Sequence, residues 1–152
     1  MEIRKLEINE IKTALSLILE VFEKFEAPNY SQEGRKRFYQ VIDSDKILLQ
    51  ATKGELCFWG SFHGGELTGV ITTKGISHIF LLFVRAEYHR RGIAKALLRV
   101  VIDKYKSNWA TGEITVNSSI YAKDIYLQLG FELTGNEENH GGLRFIPMSY
   151  II

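Results

Sequence analysis

Residues 79–98 read IFLLFVRAEYHRRGIAKALL, and this stretch decides the fold. The unbroken apolar run 79–84 has the length and composition of a buried strand. A short charged turn, 85–91, carries Arg85, His89, Arg90 and Arg91. A helix then starts at Gly92, because Ile93, Ala94, Leu97, Leu98, Val101, Ile102 and Tyr105 recur at helical spacing. The first turn of a helix presents N–H groups without intrahelical partners, together with the positive end of its dipole. Strand, basic turn and helix together make an anion site.

Upstream, 56–63 (LCFWGSFH) and 66–73 (ELTGVITT) are strand-like and are joined by Gly64-Gly65, a hairpin signal. Gly75 turns the chain into a strand over 76–84, completing an antiparallel meander. Gly60 and Gly69 lie inside strands, where glycine marks a bulge or a close approach. Downstream, 107–112 is a loop and 113–116 a strand ending at Asn117. Strand, helix and strand form a right-handed parallel crossover. Ala122, Ile125, Tyr126 and Leu129 mark a last helix that Gly130 stops. A strand at 131–134, a polar loop at 135–142 and a final strand at 143–152 follow, with Pro147 indicating an edge or a bulge.

The N-terminal third is mostly helical. A short strand at 2–6 precedes Asn9, which is read as an N-cap. Ile11, Ala14, Leu15, Ile18, Leu19, Phe22 and Phe25 form one apolar stripe, ended by Pro28. Ser31 caps a second helix through Phe38, Tyr39 and Ile42. Ser44 is read as the cap of a third, 45–53, stopped by Gly54. The ILLQ run at 47–50 also suits a strand, and the caps at both ends favour the helix.

With 152 residues and no linker or repeat, the chain reads as a single domain over 1–152. A net charge of +1 argues against a general nucleic-acid partner, which needs a dense basic surface. The lone Cys57 and the scattered His63, His78, His89 and His140 have no metal-binding spacing, so no metal is expected. Charged residues follow Met1 where a leader would be apolar, and no apolar stretch approaches the ~20 residues of a membrane helix. The expectation is a cytoplasmic protein without a membrane partner.

The pattern HRRGIA at 89–94 resembles the acetyl-coenzyme A signature of the GCN5-related N-acetyltransferases, the GNAT family. That signature runs Gln or Arg, two residues, Gly, one residue, then Gly or Ala. Gly92 and Ala94 match, His89 replaces the first position, and Ala86 stands where a Pro is often found. The segment 117–131, NSSIYAKDIYLQLGF, resembles the family's closing segment, with Ala122, Tyr126, Gly130 and Phe131 at its spacing. Nearly the whole chain follows the family's element order. The resemblance implies an α/β (α+β) fold: a mixed, mostly antiparallel central sheet of about six to seven strands, flanked by helices. Two parallel strands would splay apart at the cofactor cleft.

The resemblance also implies a cosubstrate, acetyl-coenzyme A, and an amine acceptor. The pyrophosphate would meet backbone N–H groups from Arg90 through Gly92, Ile93 and Ala94 to Lys95, with Arg90, Arg91 and Lys95 adding charge. His89 belongs to the same turn. Pantetheine would pair with backbone groups of Leu82, Phe83 and Val84, which also suit the thioester oxygen, and Asn117 would hold the cofactor's arm. Tyr126 takes the family's general-acid position. His78 falls where one branch of the family carries a glutamate base, while other members use a water chain. Glu113 and Tyr121 have weaker claims.

The acceptor, a small molecule or a peptide amine, has no signature of its own. Phe25, Tyr30, Phe38 and Tyr39 line a pocket or simply pack; Glu23, Glu26, Glu33 and Glu137 attract a cationic amine or simply face water. Two other readings compete with the enzyme. One is a coenzyme A-binding sensor or inactive homologue. The other is an interaction module, with Tyr150, Ile151 and Ile152 at the edge of a homodimer.

Overall fold

The computed structural model describes residues 1–108 and 112–152. Among them lie eight strands: β1 (Glu2–Lys5), β2 (Leu56–His63), β3 (Glu66–Lys74), β4 (His78–Val84), β5 (Glu113–Ser118), β6 (Glu132–Leu133), β7 (Glu138–His140) and β8 (Leu143–Ile151). They form one open sheet in the order β1-β2-β3-β4-β5-β8-β6, with β7 also paired to β8. Every neighbouring pair is antiparallel except β4 and β5. The helices are α1 (Ile11–Phe25), α2 (Gln32–Val41), α3 (Ser44–Thr52), α4 (Ile93–Asn108) and α5 (Lys123–Gln128). None of them is long and apolar enough to cross a membrane.

Strand alternation divides the interior in two. Val70, Leu81 and Phe83 join the apolar stripe of α1, with Phe38 and Ile47 from α2 and α3. Their neighbours Ile71 and Val84 point the other way, into a second core with Leu97, Leu98 and Val101 of α4 and Tyr126 of α5. Each fully buried aliphatic or aromatic side chain contributes roughly 1.5–3 kcal/mol. Phe22 stacks on Phe38 with ring centroids 3.8 Å apart, fastening α1 to α2.

One glycine decides how closely α4 approaches the sheet. A Cβ at Gly69 would lie 2.8 Å from Ser61 Oγ and 3.1 Å from both Ile93 Cγ2 and Leu97 Cδ1. The first turn of α4 therefore rests directly on the β3 backbone. The reading of Gly69 as a close approach holds, and a register shift also falls between Ser61 and Phe62.

Several local readings need correction. Asn9 is not a cap: it lies in a 3-10 turn whose capping box is made by Glu7 and Glu10. Asp43, rather than Ser44, caps α3 by accepting from Lys46 N. The adjacent polar residues offered two equivalent caps, and backbone geometry chose the first. The strand expected from residue 76 begins at His78, and the one expected over 131–134 keeps only Glu132–Leu133. The polar loop at 135–142 contains β7, which folds onto β8 around Gly141 and Gly142 and raises the strand count to eight. The helix runs on through 107 and 108, and residues 109–111 of the expected loop lie outside the described residues.

Candidate active site

The parallel pair β4–β5 is short. His78 pairs with Thr115 and Ile79 with Val116, and pairing stops there. At the same place β4 changes register against β3, from Thr73↔Ile79 to Thr72↔Leu81, leaving Phe80 as the bulged residue. A bulge bends its strand and sharpens the local twist. The strands consequently part beyond Ile79, and the β4 edge carrying Leu82, Phe83 and Val84 is left unpaired on its β5 side.

Two cavities meet in this gap. The larger, about 650 Å³, is lined by Leu82, Phe83, Val84, His89, Arg90, Gly92, Ile93, Ala94, Lys95 and Tyr126 among others. The second, about 470 Å³, is lined by His78, Leu82, Phe83, Asn117 and Tyr126, by Tyr30 and Phe38, and by residues of α2 and the β7–β8 hairpin. Leu82, Phe83, Glu26, Ala122 and Tyr126 belong to both.

The basic turn has the backbone geometry of an anion site. Arg90 at φ 64° and Gly92 at φ 77° both take the left-handed region, which orients successive N–H groups into a nest. Such a φ costs a non-glycine residue about 1 kcal/mol or more. The first helical bond is Ala96 N to Gly92 O at 2.9 Å, so the N–H groups of Ile93, Ala94 and Lys95 precede the ladder. The space around a Gly92 Cβ is open. A pyrophosphate therefore fits the residues present, and the unpaired β4 edge fits an amide-bearing arm.

Side chains of the turn divide by task. His89 Nε2–H donates to Val84 O at 2.6 Å, and the ring lies 4.9 Å from that of Phe25, so the imidazole ties the turn to the end of β4. Arg85 is a brace rather than part of the anion site: it donates to Leu67 O at 2.8 Å and pairs with Glu20 at 2.7 Å. Arg91 lies over the Tyr88 ring, 5.0 Å from its centroid, outside the cavity lining, whereas Arg90 and Lys95 border the cavity.

Tyr126 sits on α5, where the residue is 4% exposed and its ring meets Phe131 edge-on. Burial first, and the Glu26 carboxylate second, push its phenol well above the ordinary value, so it keeps its proton. His78 Nδ1 is 2.8 Å from Thr115 Oγ1 at the root of the gap. Burial, and then Lys74, lower its pKa, so the neutral imidazole predominates at neutral pH.

Glu26 is the site residue that composition and spacing did not single out from the other acids. It follows α1 and borders both cavities, together with a smaller one shared with Tyr30 and Tyr121. Burial pushes its carboxyl up to about 7 against an opposing hydrogen bond from Ser119. A signal was present: Glu26 lies four residues after Phe22, in line with the buried face of α1. Glu23 is exposed on the outer face, and Glu137 is held by Arg144 at 3.0 Å.

Relatives share this architecture. An E. coli (strain K12) protein called an uncharacterized N-acetyltransferase, YafP, is 27% identical over 133 residues, 87% of this chain and 81% of its own length. Mouse N-acetyltransferase 8B is 28% identical over 122 residues, 73% of this chain; the match spans only 52% of the mouse protein. A GCN5-related N-acetyltransferase structure from Rhodopseudomonas palustris superposes with a TM-score of 0.86 at 18% identity, covering 99% of this chain and 95% of that one. The PaiA N-acetyltransferase of Thermoplasma acidophilum, solved with coenzyme A, gives 0.79 at 23% identity, covering 99% and 98%. A family profile described as the acetyltransferase (GNAT) domain matches residues 26–152, most of the chain, and the protein therefore belongs to the GNAT family of acetyltransferases.

Proposed function

We propose that the chain transfers an acetyl group from acetyl-coenzyme A to a primary amine by direct attack, with both substrates bound at once. The observation that carries this is the meeting of two cavities at one buried phenol: Tyr126 borders the cavity of the anion-binding turn and the cavity opposite it. Acetyl-coenzyme A supplies the activated thioester. Its phosphates belong on the backbone from Arg90 to Lys95 and its arm along Leu82, Phe83 and Val84. Asn117 borders the opposite cavity, from which it would reach the arm's reactive end.

Tyr126 is the acid. Its raised pKa suits a hydrogen bond to the departing sulfur better than complete proton transfer. Backbone N–H groups on the free edge of β4 would hold the developing oxyanion. The attacking amine must lose a proton, and His78 and Glu26 both border the acceptor cavity. We assign the proton to Glu26, which reaches both cavities beside Tyr126. His78, hydrogen-bonded to Thr115, is the alternative base.

The test is amine-dependent release of coenzyme A thiol by the wild type and by Tyr126→Phe. Turnover falling roughly 100-fold or more in the variant, with acetyl-coenzyme A affinity unchanged within about twofold, is expected for a general acid. Equal turnover removes Tyr126 from the mechanism. Failure of every tested amine to release thiol, despite tight cofactor binding, contradicts transferase activity.

A further inference from the structure

The acceptor cavity has a charge pattern that identifies its ligand more closely. It is lined by the basic residues Arg37, Lys74, His78, His140 and Arg144, against a single carboxylate, Glu26. Two of the basic groups are answered elsewhere: Arg144 binds Glu137 through two contacts of 3.0 and 3.1 Å, and His140 lies 3.1 Å from Glu138. His78 is held neutral. Arg37 and Lys74 remain. Among the described residues, neither makes an ion pair with a carboxylate. Arg37 lies exposed alongside Gly141 of the β7–β8 turn, and Lys74 stands 5.1 Å over the Phe80 ring, so both are at the mouth.

Glu26 and Tyr126 lie where this cavity meets the one of the basic turn, and the wall carries half-buried Tyr30, Val41, Phe80, Leu143 and Phe145. The lining thus combines apolar side chains, one carboxyl group at the junction with the other cavity, and two exposed cations without a carboxylate partner. A cationic polyamine would meet repulsion at the mouth, and a neutral amine would leave both cations unused.

We infer, on the basis of the acetyltransferase reading above, that the acceptor is an amine bearing an anionic group, joined by an apolar body. Its amine faces Glu26 and Tyr126, and its anion faces Arg37 and Lys74. The cavity volume of about 470 Å³ holds an amino acid or a molecule of similar size. Shared anion chemistry covers a carboxylate or a phosphate, and charge complementarity at the mouth gives specificity and encounter rate.

The test is kcat/KM on matched pairs: L-phenylalanine and 4-(aminomethyl)benzoate against their carboxamides, and glucosamine 6-phosphate against glucosamine, with spermidine as the cationic comparison. Acetyl-coenzyme A binding is titrated separately. We expect at least one anionic amine to exceed its neutral partner about tenfold or more, about 1.4 kcal/mol. The pair that shows it tells carboxylate from phosphate. In Arg37→Gln/Lys74→Gln the ratio falls toward one through KM, cofactor affinity stays as in the wild type, and Arg37→Lys restores part of the ratio. Preference for spermidine or the neutral partners, a ratio that survives the double variant, or turnover of none of the anionic amines overturns the inference. Cofactor binding with turnover of neutral or cationic amines leaves the acetyltransferase reading standing alone. Absence of acetyl-coenzyme A binding removes that reading, and the inference with it.

Discussion

Glu26 concentrates the residue-scale chemistry. Burial favours its neutral acid, raising the folded pKa to about 7 from a reference value of 4.5. Relative to an unshifted carboxyl, the stabilisation is complete below the unfolded value and is lost as pH rises through about 7. Glu26→Gln, neutral at every pH, is therefore expected to be more stable than wild type at pH ~8 by roughly 1–3 kcal/mol. If Glu26 is the base, as proposed, the same variant loses most of its turnover. Denaturant melts at pH ~5 and pH ~8 check the first statement: equal stability differences at both would mean that Glu26 titrates normally. The pH–rate profile separates the two bases. An ascending limb near 7 that disappears in Glu26→Gln assigns the proton to Glu26. A limb below the ordinary histidine value of 6.5 that disappears only in His78→Ala assigns it to His78. The sequence displayed these residues unequally. Tyr126 stood in a recognisable segment with local spacing, whereas Glu26 acts through neighbours distant in the chain, such as Ser119 and Tyr126.

Among the elements, the contact of α4 with β3 sets the position of the basic turn. Gly69→Val would drive a branched side chain into Ser61, Ile93 and Leu97. Overpacking of this kind costs about 1–3 kcal/mol or more. Since Ile93 opens α4, acetyl-coenzyme A affinity should weaken together with stability, as read by melting and by titration. A stable variant with unchanged affinity would show that β3 does not position the turn. The meander, the crossover and the helix stripes were legible because each is written in periodicity and punctuation over a few residues. The bulge at Phe80 was not, since it is a register shift between β3 and β4 and neither strand alone encodes it. For β7, three exposed polar residues, Glu138, Asn139 and His140, are paired by the neighbouring β8 rather than by their own propensity. Asp43 and Ser44 show the limit of cap reading, since either side chain suits an N-cap.

For the whole molecule, the proposed function gives the sheet the task of bringing two ligands to one point. Helices α1, α2 and α3 close one face and α4 the other, and the parting of β4 from β5 opens a passage between cavities of about 650 and 470 Å³. Net charge is only +1, so recognition of an anionic cofactor as proposed would depend on a local arrangement: oriented N–H groups, the helix start, Arg90 and Lys95. The most direct measurement is calorimetric titration of acetyl-coenzyme A into the wild type and Gly92→Glu, with melting curves confirming that the variant is folded. Gly92 has φ 77° and open space where a side chain would project, so a glutamate there places bulk and negative charge in the phosphate cradle. One equivalent bound by the wild type and none by the folded variant is the predicted result. No binding by the wild type, or equal binding by both proteins, contradicts a cofactor site at this turn.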